Sequence, residues 1–150
     1  MRVLIQRASE ASVTIDGKIH GKIHQGLVVL LGIETEDTQD DVNWLIRKLI
    51  ALRIFNDSEG KMNHSIADIT GEFLVISQFT LHASTKKGNR PSYIKAARPE
   101  VAIPLYEEFI QILRKESGLK VDSGVFGADM KVQLINDGPV TIWIDSKNKE

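Results

Sequence analysis

The residue pattern predicts an α/β protein of the α+β type. It should hold a mixed, largely antiparallel sheet and two main helices in a single compact domain over residues 1–150. Three observations lead there. Apolar or alternating runs recur from the N-terminus to Asp145, and hairpin-forming residues join several of them. Only two stretches, near 41–52 and 99–117, repeat apolar residues at helical spacing. At 150 residues, with 42% apolar and 26% charged content, the chain can bury one core, and two would be cramped.

In chain order, residues 2–7 and 12–15 read as strands, and Asp16-Gly17 is a hairpin signal leading to Lys18–Ile23. Gly26–Ile33 is an unbroken apolar run, as a buried strand gives. Glu34–Asp41 is an acidic connector, with Asp40 and Asp41 suited to capping the next helix. That helix is expected from Asp41 to about Leu52 through Val42, Leu45, Ile46, Leu49 and Ile50. Arg53–Phe55 should return to the sheet, residues 56–60 should turn, and 61–70 should be irregular. Phe73–Leu81 is the expected central strand, followed by a loop over 83–98. Pro99 opens a second helix that Gly118 stops. Met130–Ile135 and Val140–Asp145 are expected as a closing strand pair around Gly138-Pro139, and Ser146–Glu150 should fray.

Composition narrows the function. There is no Cys, which excludes disulfides and thiolate metal sites and suits a reducing cytosol. The opening residues contain only three consecutive apolar positions, Val3 to Ile5, too few for a signal peptide. No run approaches the roughly 20 apolar residues of a membrane span, so the expected location is cytoplasmic, with no membrane partner. His20 and His24 invite a metal reading, but no carboxylate pattern surrounds them, and neither metal nor organic cofactor is implied. The net charge of −1 argues against binding nucleic acid through bulk charge. The distribution says more: Lys86, Lys87, Arg90, Lys95 and Arg98 follow His82 with no acidic residue among them. Such a stretch is either a solvated loop or a phosphate-contacting strip.

Two segments carry the chemistry. Phe73–Ile76 would deliver Ser77, Gln78 and Thr80, three hydrogen-bonding side chains, around the aromatic Phe79. Near the C-terminus, Asn136-Asp137-Gly138-Pro139-Val140-Thr141 interrupts a strand-like run. At these residues the chain resembles the D-aminoacyl-tRNA deacylases (D-tyrosyl-tRNA deacylases), whose signature motifs are S-Q-F-T-L and N-x-G-P-V-T. The likeness extends through Leu4-Ile5-Gln6-Arg7, the run 26–32, Arg53-Ile54-Phe55, Gly60–Asn63, Arg90-Pro91-Ser92 and Phe126–Met130.

The resemblance implies an ester hydrolase acting on D-aminoacyl-tRNA, and on glycyl-tRNA mischarged on tRNA-Ala, without a cofactor. It implies helices on one side of the sheet and a homodimer. In family members the Gly138-Pro139 bond is cis and reaches the partner subunit's active site, where it sterically rejects L side chains. Ser77, Gln78, Phe79 and Thr80 become the catalytic segment, and Phe126, Ala128 and Met130 the pocket of the 3′-terminal adenosine. Lys86, Lys87 and Arg90 become tRNA phosphate contacts. Arg7, by residue type alone a surface residue at the end of the first strand, becomes the support of the Gly-Pro motif. For Thr80 three readings stay open: covalent nucleophile, hydrogen bonder to substrate or oxyanion, and plain strand residue. His82 would share a strand face with it. The alternatives to an esterase are a non-catalytic tRNA 3′-end binding module and a generic Ser/Thr hydrolase. The latter lacks a G-x-S-x-G elbow or a Ser/His/Asp set.

Overall fold

One long strand organises the molecule, a computed structural model that describes residues 1–149. The first strand, β1 (Arg2–Ile15), is continuous for 14 residues where two separate strands are expected, because Ala8 and Ala11 stay buried across the gap. One edge of β1 pairs first with β3 (Gly26–Gly32) and then with β2 (Lys18–Ile23), both antiparallel. β3 pairs in parallel with β6 (Glu72–Ser77), and β6 pairs in parallel with β7 (Val121–Ser123), giving the order β2-β1-β3-β6-β7. Most of the pairing is antiparallel, and the sheet curves almost into a barrel.

Helices α1 (Gln39–Ala51) and α2 (Pro99–Ser117) both cover one face, where Val3, Ile5, Leu27, Val29, Phe73 and Val75 meet Leu45, Leu49, Phe109 and Leu113. Each such fully buried side chain contributes about 1.5–3 kcal/mol. A smaller cluster under the opposite face joins Ala11, Val13, Ile23, Val28, Leu74 and Ile76. Helix α1 starts two residues before the expected point. Its N-cap is Thr38, whose N–H donates to the Asp41 carboxylate at 2.9 Å. Helix α2 opens on Pro99 and stops at Gly118, which adopts a left-handed φ of 65°.

Four further expectations change. Residues 53–55 do not rejoin the main sheet; β4 (Phe55–Asn56) pairs with β5 (Met62–His64) in a separate hairpin, so part of 61–70 is regular. The central strand ends at Ser77, and Phe79–His82 is a 3-10 helix. The closing pair is one strand, β8 (Lys131–Asp145), whose two arms both pair with β1 and not with each other. Finally, Ser146 and Lys147 are anchored rather than frayed. The Met1 ammonium donates to Asp37 and, at 2.9 Å, to the Ser146 hydroxyl, which donates to Asp41 at 2.7 Å. Lys147 Nζ donates to the other Asp41 oxygen at 2.8 Å. Glu150, the last residue of the expected frayed tail, lies outside the described residues.

Candidate active site

The apolar stretch Phe73–Ile76 is buried, and the polar Ser77 marks where the chain leaves the sheet. Gln78 makes the last ladder bond, its N–H donating to Leu31 O at 2.7 Å, and the backbone then tightens into the 3-10 helix. The Leu81 N–H closes the turn onto Gln78 O at 3.2 Å, and the Ala83 N–H bonds Thr80 O at 3.0 Å. Ser77, Gln78 and Phe79 are thereby delivered to one wall of a cavity of about 300 Å³.

Its other wall comes from the loop after β7. Gly124 N–H bonds Val75 O at 3.1 Å, and Gly127 takes a φ of 77°, which brings Phe126, Ala128 and Met130 back over the sheet. The chain passes so close there that a Cβ on Gly124 would collide with the Met130 sulfur. Phe126 leans on Tyr106 with ring centroids 5.9 Å apart. Tyr106 donates to Val75 O at 3.0 Å, and burial pushes its hydroxyl up to about 12. The cavity therefore brings together six of the expected site residues, from two segments about 50 positions apart. Leu31, Ile33, Ala97 and Ala102 complete its apolar lining; in sequence they are ordinary core positions.

Thr80 does not line this cavity. Its hydroxyl oxygen accepts from Gln78 Nε2 at 2.5 Å. No Thr80–His82 pair forms: alternate residues share a face on a strand, but in a 3-10 helix they point to different sides. His82 is instead buried, and neither ring nitrogen has a hydrogen-bond partner among the described residues. Burial, reinforced by the nearby Arg2 charge, lowers its pKa.

The Gly138-Pro139 segment is a bulge, not a turn. Between the pairs Gln6↔Thr141 and Ala8↔Asn136, β1 advances two residues while β8 advances five. The surplus loops out, with a cis Gly138-Pro139 bond and both residues exposed. Asn136 spans its base: the Val140 N–H donates to Asn136 Oδ1 at 2.8 Å, and Asn136 Nδ2 donates to Thr141 Oγ1 at 3.0 Å. Arg7 lies beneath, 6% exposed, far from the surface position its residue type suggests. Its Nε donates to Asp137 O at 2.7 Å, while Nη1 donates to Ile54 O at 2.7 Å and Asn56 Oδ1 at 3.2 Å. Gly138 and Pro139 are not part of the lining of the cavity in the same chain.

The basic residues Lys86, Lys87 and Arg90 sit on an exposed loop and do not line the cavity. Mutual backbone bonds of 2.8 and 2.9 Å between Ser84 and Ser92 close the loop's base. Among the described residues, Lys86, Lys87 and Arg90 form no ion pair, and no cluster of three His, Cys, Asp or Glu side chains stands ready for a metal.

Comparison with known proteins adds to the geometry. A family model described as D-Tyr-tRNA(Tyr) deacylase matches residues 4–145. The chain is similar to a D-aminoacyl-tRNA deacylase of Flavobacterium psychrophilum, 65% identical over 150 residues and covering all of both chains. It is 59% identical, again over all of both, to one from Bacteroides thetaiotaomicron. Among solved structures, one described as c-Myc DNA Unwinding Element Binding Protein superposes with a TM-score of 0.91 at 42% identity, over 97% of this chain and 98% of that one. A second, described as a probable eukaryotic D-amino acid tRNA deacylase, shares the fold. Its TM-score is 0.83 at 17% identity, over 95% of this chain and 97% of that one.

Proposed function

The chain belongs to the D-Tyr-tRNA(Tyr) deacylase family and hydrolyses D-aminoacyl-tRNA, and we propose that its two halves divide the work between a cavity that positions the ester and a bulge that excludes the wrong enantiomer. The observation that carries this is the convergence of Ser77, Gln78 and Phe79 with Phe126, Ala128 and Met130 on one cavity. A mostly apolar cavity of about 300 Å³ with a polar rim suits the 3′-terminal adenosine, its base against Phe126 and Met130.

The chemistry asked of the protein is modest. An aminoacyl ester is activated by its own α-ammonium group, so positioning a water and stabilising the oxyanion suffice. The leading N–H groups of the 3-10 helix, at Phe79 and Thr80, have no carbonyl within the helix to bond and stand beside Ser77 and Gln78. A donor aimed at an oxyanion is typically worth about 2.7–4 kcal/mol. Thr80 acts as a hydrogen bonder that orients Gln78, and the 2′-OH of the terminal ribose assists the attack. A nucleophilic role for Thr80 has no base to support it: His82, the nearest His along the chain, is buried and forms no pair with it.

Selectivity comes from a second copy. Gly138 and Pro139 project to solvent, braced by Arg7 and Asn136, and take no part in their own chain's cavity. In a homodimer the bulge enters the partner's cavity and fills the space that an L side chain needs. D-residues of different sizes, and glycine on tRNA-Ala, then remain substrates. Lys86, Lys87 and Arg90 supply the phosphate contacts that a net charge of −1 cannot. The work is placed in the cytoplasm, where aminoacyl-tRNA is used; no helix among the described residues is long and apolar enough to cross a membrane.

The test is ester loss from paired D- and L-aminoacyl-tRNA, with sedimentation analysis of the free protein. Selective D hydrolysis by a dimer is expected. Binding of tRNA without hydrolysis would instead make the chain a 3′-end binding module.

A further inference from the structure

The cavity accommodates one nucleoside, yet the substrate is a strand that must leave it. Beside the cavity mouth lies an aromatic pair of which the hydrolytic site uses only one member. Phe79 lines the cavity and is 54% exposed; Tyr93, which does not line it, packs on Phe79 with centroids 5.0 Å apart and planes 73° apart. Rings that meet edge to face cannot cover one another, and Tyr93 keeps 37% of its surface open. The next residue, Ile94, is 92% exposed.

This apolar surface is held firmly. The Ala96 N–H bonds Tyr93 O at 3.0 Å, closing a turn with Ile94 and Lys95 at its tip. The Ala97 N–H bonds Ile33 O at 2.9 Å, Ile33 being itself a cavity residue, and Ser84 and Ser92 close the loop on the other side. The same loop carries Lys86, Lys87, Arg90, Lys95 and Arg98, with no acidic residue from His82 to Arg98, although Glu34 bridges to it at Ala96. An exposed aromatic and an exposed aliphatic side chain inside a purely cationic loop match an unpaired nucleotide, which offers a flat base and a phosphate together.

We propose that Tyr93, with Ile94 beside it, is the stacking platform for the nucleotide that precedes the terminal adenosine, so that the loop positions the single-stranded 3′ end before hydrolysis. This rests on the terminal adenosine occupying the cavity. The occupant is nucleic acid rather than a second copy of the chain, because the cationic surround would face an equally cationic loop across a symmetric contact.

The experiment compares three D-tyrosyl esters: full-length tRNA, the dinucleotide cytidylyl-adenosine, and adenosine alone. Wild type, Tyr93→Ala, Tyr93→Phe and Ile94→Ser are assayed on each. Wild type should bind the dinucleotide ester about tenfold more tightly than the nucleoside ester, by the usual worth of one base on an aromatic ring. Tyr93→Ala should lose that gain and raise KM for tRNA about tenfold, with kcat within twofold and nucleoside hydrolysis unchanged. Tyr93→Phe should behave as wild type, and Ile94→Ser should lose part of the gain. Unchanged nucleoside hydrolysis also shows that the variant is folded. Equal KM increases on all three esters would make Tyr93 a prop for Phe79, and no increase on any would make it plain surface; either overturns the platform. A change in sedimentation on Tyr93→Ala would assign the patch to a contact between copies, overturning it as well. Wild type that ignores the nucleoside ester altogether overturns the cavity reading first, and the platform with it.

Discussion

At the end of β6, Ser77 and Gln78 line the cavity, and of their side chains only that of Gln78 makes an internal hydrogen bond among the described residues, donating to Thr80 Oγ1. At the bulge in β8, by contrast, Arg7 of β1 donates to Asp137 O, Ile54 O and Asn56 Oδ1, and Asn136 bonds Val140 and Thr141 across the base. The rim keeps polar atoms available to a ligand, whereas the bulge spends its polar atoms on itself. A segment so braced, carrying only glycine and proline at its tip, offers shape and no reactive group. The difference teaches how selectivity and chemistry can be held apart: on the proposed function, the rim does the chemistry and the braced bulge does the rejecting.

Changes to the bulge should have the largest effects. Gly138 sits at φ +139°, where a Cβ would lie 2.9 Å from both Arg7 Nη2 and Val140 Cγ2. Gly138→Ala must move the bulge, at a cost on the order of 1–3 kcal/mol. A fall in the ratio of D to L hydrolysis by about a hundredfold is expected, measured as kcat/KM on each ester, where each 1.36 kcal/mol is about tenfold. Next is Arg7→Ala, which removes the donor to the buried Ile54 O, worth about 1–3 kcal/mol, and the donor to the partly buried Asp137 O. Thermal denaturation should show the lost stability, and the ratio of D to L hydrolysis should narrow about tenfold. An Arg7→Ala variant with unchanged selectivity would break the comparison, since the brace would then be irrelevant to rejection.

At the rim, effects should be smaller and should spare selectivity. Thr80→Ala removes one hydrogen bond to Gln78, worth about 1 kcal/mol, so a roughly fivefold fall in kcat with an unchanged D to L ratio is expected. A trapped aminoacyl ester on Thr80 would replace the water-attack account with a covalent one. Asp41 is the control remote from both regions. Burial disfavours its charge, but hydrogen bonds from Lys147, Ser146 and the Thr38 N–H outweigh that and hold its carboxyl below the usual range. A folded pKa below the unfolded value, about 3.9, means that the stabilisation is present at neutral pH. It is lost as pH falls through the acidic range. The melting temperature of wild type should therefore drop more steeply below pH 5 than that of Asp41→Asn, with the D to L ratio the same in both at neutral pH.

The helices were legible because their apolar residues repeat locally, and α1 erred only by two residues because Thr38, not an Asp, is the cap. The cavity was legible only through the family motifs, since Ser77 and Met130 meet through pairing that no local pattern encodes. Gly-Pro correctly marked an interruption, but a turn and a bulge give the same local signal. Whether the arms pair with each other or with a third strand depends on β1, about 130 residues away. Residue type alone misplaces Arg7 for the same reason: its partners Ile54 and Asp137 are 47 and 130 residues distant. The three-residue β7 is too short to show alternation, and the anchoring of Ser146 depends on Met1 and Asp41 at the other end of the sequence.

Glycine tests rejection by shape most directly, because glycyl-tRNA has no side chain in either hand. Hydrolysis of D-tyrosyl-, L-tyrosyl- and glycyl-tRNA by the wild-type protein, measured in single turnover with enzyme in excess, separates exclusion from recognition. If the Gly138-Pro139 bulge only fills space, the D-tyrosyl and glycyl esters are both cleaved and the L-tyrosyl ester persists. Persistence of glycyl-tRNA alongside rapid loss of D-tyrosyl-tRNA would contradict the account, since the pocket would then be reading the D side chain itself.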